Sequence, residues 1–159
     1  MAWFLRDRRL SEFAVRKTSE LLRKEGYENE IVDEKGHDIR LKDGRKIEVK
    51  FDTTIYDSGN LACEWWSDEN KKHEGWAQYS DADILVYMYD FDNAYVLDMQ
   101  ELKKYVEKNR DNLTAKPAYR GRTESRAIVL LVPIKSVSDL RIKEFEKIFV
   151  KSAVLPQRE

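Results

Sequence analysis

Asp38, Glu48 and Lys50 are the residues of this chain whose types and spacing most readily do chemistry. They lie in GHDIRLKDGRKIEVKFD, residues 36–52, which alternates apolar and polar side chains on either side of Asp43-Gly44. Period-two alternation marks half-buried strands, and Asp-Gly is a strong hairpin turn. A two-residue loop would set Ile39 opposite Glu48, an apolar side chain against a charge. A loop of Lys42, Asp43 and Gly44, with the glycine left-handed, sets Ile39 opposite Ile47 and closes the apolar face. The same register brings Asp38 opposite Glu48, with Cβ atoms about 5 Å apart, where like charges repel. Lys50 follows on that face about 7 Å along the strand. Two converging carboxylates beside an ammonium make a hard-cation site for Mg2+ or Mn2+, completed by phosphate and water, with a spare charge for an anionic substrate. The same residues also read as a solvated strand face, because Glu-x-Lys triplets recur at 69–71 and 101–103 in a chain that is 37% charged.

The elements that must position these groups follow from pattern. Residues 9–25 place Leu10, Phe13, Ala14, Leu21 and Leu22 on one helical stripe, with Gly26 as a stop. YENEIVD is a short strand before the hairpin; DSGN at 57–60 is a turn, and LACEWW after it a strand. A helix or loop covers about 68–80. ADILVYMYD and AYVLDM read as strands joined by DFDN, and Asp98 with Glu101 opens a helix running to about Arg110. Residues 111–126, polar and carrying Pro117 and Gly121, read as a loop. AIVLLVPI is a buried strand and KEFEKIFV a helix. The expected fold is α/β, in a single domain over residues 1–159.

Composition bounds the function. The 159 residues are 42% hydrophobic and 11% aromatic, enough for a folded core. Lysines and arginines number 29 against 30 acidic residues, so a nucleic-acid site has to be a local patch rather than a global field. Cys63 is the single cysteine, which excludes an intrachain disulfide and a cysteine-based zinc site. The opening MAWFLRDRRLSEF does not read as a signal peptide, and no apolar run is long enough to span a bilayer. A soluble intracellular protein without membrane partners is the expectation.

HDIRLKDGRKIEVK resembles the signature of the PD-(D/E)XK nuclease superfamily, with Asp38 as the first acid, Glu48 as the second and Lys50 as the lysine. The preceding helix and the strand order are similar to that superfamily's α-β-β-β-α-β core over residues 9–90, a restriction-endonuclease-like central mixed sheet flanked by helices. SGNLACEWW and SDADILVYMYD look like small phage-type members related to Holliday-junction resolvases. His37 stands where the name-giving proline would be. The resemblance implies a Mg2+- or Mn2+-dependent endonuclease on DNA, whether branched, linear or single-stranded, and cytoplasmic (in the host if phage-encoded); cutting both strands would favour a two-fold homodimer. It implies that Asp38, Glu48 and the Val49 carbonyl hold the metal and that Lys50 acts at the attacking water. Many members add a glutamate from the first helix; Glu20 flanks the apolar stripe and is the candidate here, whereas Glu12 points nearly opposite it. Glu64, in a mostly apolar segment, is either a third acid of the metal site or an exposed alternate position.

Trp65, Trp66 and Trp76 could stack bases but read first as core, and His73 reads as surface. The clearest basic concentration is AKPAYRGRTESR, where Lys116, Arg120, Arg122 and Arg126 meet one acid, Glu124, in what reads as a mobile phosphate-binding loop or a solubilising one. The RDRR near the N-terminus is a second basic contact. The rival reading is a catalytically inactive nucleic-acid-binding or scaffold protein on the same fold; an RNA-directed enzyme is another.

Overall fold

Alternating apolar residues along the middle of the chain build one sheet that carries the hairpin, and helices cover it. A computed structural model of the chain describes residues 2–53, 55–119 and 126–150. The elements run α1 (Ala2–Lys24), β1 (Asn29–Glu34), β2 (His37–Leu41), β3 (Lys46–Phe51), α2 (Ile55–Ser58), β4 (Asn60–Asp68), β5 (His73–Glu74), α3 (Trp76–Tyr79), β6 (Ile84–Met88), β7 (Ala94–Asp98), α4 (Met99–Asn109), β8 (Thr114–Tyr119), β9 (Arg126–Pro133) and α5 (Lys143–Val150). β1, β2, β3, β6 and β7 form a five-stranded sheet in that order, and β5, β4, β9 and β8 a four-stranded one. In the first sheet β3 and β6 are parallel and every other pair antiparallel, so it is mixed. The fold is α/β, with a mixed central sheet flanked by helices, and the second sheet is an addition the sequence pattern does not announce.

The period of two explains the layers. Ile39, Ile47, Val49, Val86 and Val96 share one face of the central sheet and bury it against Ala14 and Leu22 of α1 and Phe145 and Phe149 of α5. Leu85, Tyr87 and Leu97 point to the other face, where they meet Leu61 and Cys63 of β4, Leu130 and Val132 of β9, and Leu102 and Val106 of α4. Each fully buried aliphatic side chain contributes about 1.5–3 kcal/mol of transfer free energy. A polar strut joins the two sheets: the Tyr87 hydroxyl donates to Asp52 and accepts the Ala62 N–H at 3.0 Å.

Three local expectations need correction. Residues 114–119 form β8, not loop. β8 is the edge of its sheet, its outer side paired with no strand among the described residues, and there a proline costs little because its missing N–H can face solvent. Its polar composition, with Thr114, Lys116 and Pro117 exposed or half-exposed, reflects that edge rather than an absence of structure. Second, α1 begins at Ala2, ahead of the apolar stripe. Third, the 68–80 segment splits into the end of β4, β5 and the single turn of α3. The Asp98 cap forms as expected, its carboxylate accepting the Glu101 N–H at 3.0 Å. Among the described residues no helix is long and apolar enough to cross a membrane.

Candidate active site

The β2–β3 hairpin has the three-residue loop that its alternation demands. Gly44 takes φ +97°, its N–H donates to the Leu41 carbonyl at 2.9 Å, and the Leu41 N–H donates to the Arg45 carbonyl at 2.8 Å. Asp43 fixes the turn by accepting the Arg45 main-chain N–H at 3.0 Å and its guanidinium at 2.8 Å. Ile39 pairs with Ile47 and Arg40 with Lys46.

Beyond that point the ladder opens. The Val49 N–H donates to Asp38 Oδ2 at 2.8 Å, so the Asp38 side chain takes the place of a strand carbonyl. The N–H and C=O of one strand residue point to the same side, so the Val49 carbonyl also faces the opening. Glu48 follows on the opposite face of β3 from Ile47 and is 5% exposed. Lys50 Nζ lies 3.4 Å from Glu48 Oε1 and 5.5 Å from the centroid of the Trp76 ring. An anion and an indole face therefore hold the ammonium from two sides.

Burial pushes the Glu48 carboxyl up to about 7; the Lys50 charge opposes that rise, and the charge and hydrogen bonding of Asp38 add to it. A carboxylate with so little water and another carboxylate beside it is short of positive charge. His37, at the position before Asp38, is buried, with Nδ1 3.0 Å from Asp81 Oδ1 and Nε2 3.4 Å from Glu34 Oε2. It anchors the start of β2, a job its ring does with two polar partners where a proline could offer none.

An open cleft of about 600 Å3 is lined by Asp38, Glu48, Val49 and Lys50 from the hairpin and by Glu12 and Arg16 from α1. Glu20 is exposed on α1 and does not line this cleft; Glu12, on the flank of the helix away from the stripe, does. Glu64 is buried on β4, and its main chain and Cγ lie so close to Gly75 that a Cβ there would sit 2.3 Å from the Glu64 carbonyl oxygen. It lines a second, neighbouring cleft instead. Tyr79 stands between the two: burial raises its hydroxyl pKa, the Lys50 charge lowers it, and the charges of Glu48, Glu64 and Asp38 raise it. Sequence pattern does not reveal Tyr79, Arg16 or the place of Glu12, since nothing local ties α3 or the far flank of α1 to the hairpin.

The donor set suits Mg2+ or Mn2+: Asp38 and Glu48 carboxylates and the Val49 carbonyl are hard oxygens, and these ions commonly take one or two carboxylates with phosphate and water. Among the described residues no three His, Cys, Asp or Glu side chains stand close enough to hold one ion together. Trp65 and Trp76 are core, Trp66 is half-buried and His73 is exposed. Lys116 is exposed on β8, and Arg126 opens β9 opposite Tyr119, its Nε 3.5 Å from Glu69 Oε2. Arg120 and Arg122 lie outside the described residues. No protein-family model matches the chain, and no curated protein matches it.

Proposed function

We propose that this protein is a metal-dependent nuclease that hydrolyses DNA phosphodiester bonds internally, on a PD-(D/E)XK core. One observation carries the reading: the hairpin ladder opens where Asp38 replaces a strand carbonyl, and Glu48 and Lys50 converge on that opening, 3.4 Å apart. A purely structural hairpin gains nothing from burying one carboxylate beside another.

Asp38, Glu48 and the Val49 carbonyl would hold Mg2+ or Mn2+, which when bound polarises a phosphate and lowers the pKa of water. Lys50 does the rest from the chain's side. Held by Glu48 and Trp76, its ammonium is aimed at the opening and can orient a water's lone pair and stabilise negative charge on a phosphoryl oxygen. Val49 N–H holds Asp38 in place without taking its other carboxylate oxygen. Arg16, on the cleft wall, offers a second cation to a phosphate.

The test is cleavage of plasmid and branched DNA with Mg2+, Mn2+ or EDTA, by wild type and by Glu48→Gln. Metal-dependent cutting that Glu48→Gln loses supports the reading. Binding without cutting in any metal would give the fold to the rival, a catalytically inactive nucleic-acid-binding protein.

A further inference from the structure

Beside the candidate active site lies a second cleft of about 710 Å3 that the proposed chemistry does not use. Its walls come from the β1–β2 turn (Lys35), from β4 (Glu64, Trp66), from Lys72 and Glu74 around β5, and from α3 (Tyr79). Two ring faces are turned into it. Lys35 Nζ stands 4.8 Å from the centroid of Tyr79, and Lys72 Nζ stands 5.4 Å from that of Trp66. Both rings pack against the core, but the face that each lysine covers is outside it, and it becomes a stacking surface when the exposed, flexible lysine swings aside. The strand is shaped to do this. β4 carries register shifts between Glu64 and Trp66 and again between Trp66 and Asp68, and such bulges re-aim side chains. Trp65 stays in the core while Trp66 is half-buried at the wall. Lys72 adopts φ +57°, alone among non-glycine described residues in the left-handed region, and its ammonium lies over Trp66.

Charge selects the occupant. Lys35 and Lys72 are balanced by Glu64 and Glu74, so the cleft has no net positive field to draw a phosphate backbone of either form, and ring stacking has to supply the preference. What it offers is flat apolar rings with an ammonium at each, which suits a base whose face is free and whose phosphate is within a lysine's reach. Paired bases have no face to give. Tyr79 and Glu64 border this cleft, and Tyr79 shares a single helical turn with Trp76, which backs Lys50.

We infer that this cleft binds unpaired DNA, with bases stacked on Trp66 and Tyr79 and phosphates on Lys35 and Lys72, next to the site of cleavage. The substrate of the proposed nuclease, on whose assignment this placement rests, is then DNA with a single-stranded stretch flanking the cut.

Binding in EDTA tests the cleft without any chemistry. A thymidine homopolymer oligonucleotide titrated against the full chain should quench tryptophan fluorescence and bind more tightly than a duplex of equal length. Trp66→Phe keeps a ring in place and should remove most of the quench. Trp66→Ala should weaken binding about 5- to 150-fold, the range for losing one stacked base. Lys35→Gln with Lys72→Gln, both at the surface, should weaken it too and flatten the slope of log K against log salt by about 0.7 per lysine. An unchanged quench in Trp66→Phe together with an unchanged slope in the lysine pair would overturn the proposal, as would equal or tighter binding of the duplex. A uridine homopolymer bound more tightly than the thymidine one would overturn the assignment to DNA. The two readings fail separately: loss of oligonucleotide binding in these variants with no metal-dependent cutting by wild type sinks the nuclease assignment alone, and metal-dependent cutting with no effect of the cleft variants on binding sinks the cleft alone.

Discussion

The β2–β3 and β8–β9 hairpins are both antiparallel and both carry charged side chains, yet they set those charges in opposite surroundings. β2 and β3 lie inside their sheet, with β1 on one side and β6 on the other. Glu48 is consequently shut away from water, and that burial, more than the charges of Lys50 and Asp38, sets its protonation. β8 is an edge, and Lys116 on it is exposed. A charge in the first place can do chemistry because the protein controls its environment. A charge in the second can attract a phosphate but is screened by solvent within about 10 Å. Reaction therefore suits the inner hairpin, and the outer one can add affinity at most.

The largest effect expected from breaking that division is at Lys50. Lys50→Ala should reduce single-turnover cleavage by about 100- to 10,000-fold, the range for removing a positioned charge or proton-transfer group, while metal and DNA binding persist. Lys116→Ala should leave the single-turnover rate at saturating enzyme unchanged. A Lys50→Ala protein that turns over like wild type would remove the reaction from the first hairpin.

Stability should divide the same way. Ile47 is fully buried, and Ile47→Ala should cost about 2–5 kcal/mol in urea unfolding. Thr114→Ala, on the exposed edge, should stay within about 0.5 kcal/mol of wild type. Comparable losses at both positions would show that the edge hairpin is as much a part of the core as the inner one.

How far each hairpin can be read from sequence follows from the same contrast. The turn, register and facing acids of β2–β3 are legible because everything that sets them is local: Asp43-Gly44 supplies the turn, and Ile39 and Ile47 permit one pairing. β8 is not legible, because an edge strand has little apolar face to alternate and Pro117 mimics a breaker. The four-stranded sheet is hidden for another reason, since Glu64 and Val129 pair across much of the chain and neither carries a mark of the other. The wall opposite the acids is hidden too: α1 presents Glu12 and Arg16 to the cleft with the flank away from its stripe. A helical wheel finds the face that packs, and here the cleft lies beside that face. Tyr79 has no signal at all, being placed by the crossover between β3 and β6.

A weaker effect belongs to the second hairpin. Lys116→Gln with Arg126→Gln should lower affinity for duplex DNA and flatten the slope of log K against log salt by up to about 1.8, near 0.9 for each phosphate that is no longer neutralised. An unchanged slope would make that edge a solubilising surface and leave the inner hairpin as the sole link to nucleic acid among the two.

The smallest effect is the most discriminating, because it needs no substrate. In the metal-free protein Asp38 and Glu48 face each other, and Lys50 offsets their repulsion only in part. Asp38→Asn keeps an oxygen to accept the Val49 N–H, so the 2.8 Å hydrogen bond survives and only the charge is lost. Well above neutral pH, where Glu48 is ionised, that loss should stabilise the EDTA-treated protein by about 0.5 kcal/mol, a rise of roughly 1–2 °C in Tm. Excess Mn2+ should stabilise wild type further by RT ln(1 + [Mn2+]/Kd) and should do much less for the variant, which has one ligand charge fewer. The order of the two melting temperatures should therefore reverse between EDTA and Mn2+. A pair of exposed, independent carboxylates would show neither the gain nor the reversal, because removing one charge would leave the other's environment unchanged. If Asp38→Asn is neutral or destabilising in EDTA and both proteins respond alike to Mn2+, the opening in the ladder holds no ion, and the inner hairpin differs from the outer one only in burial.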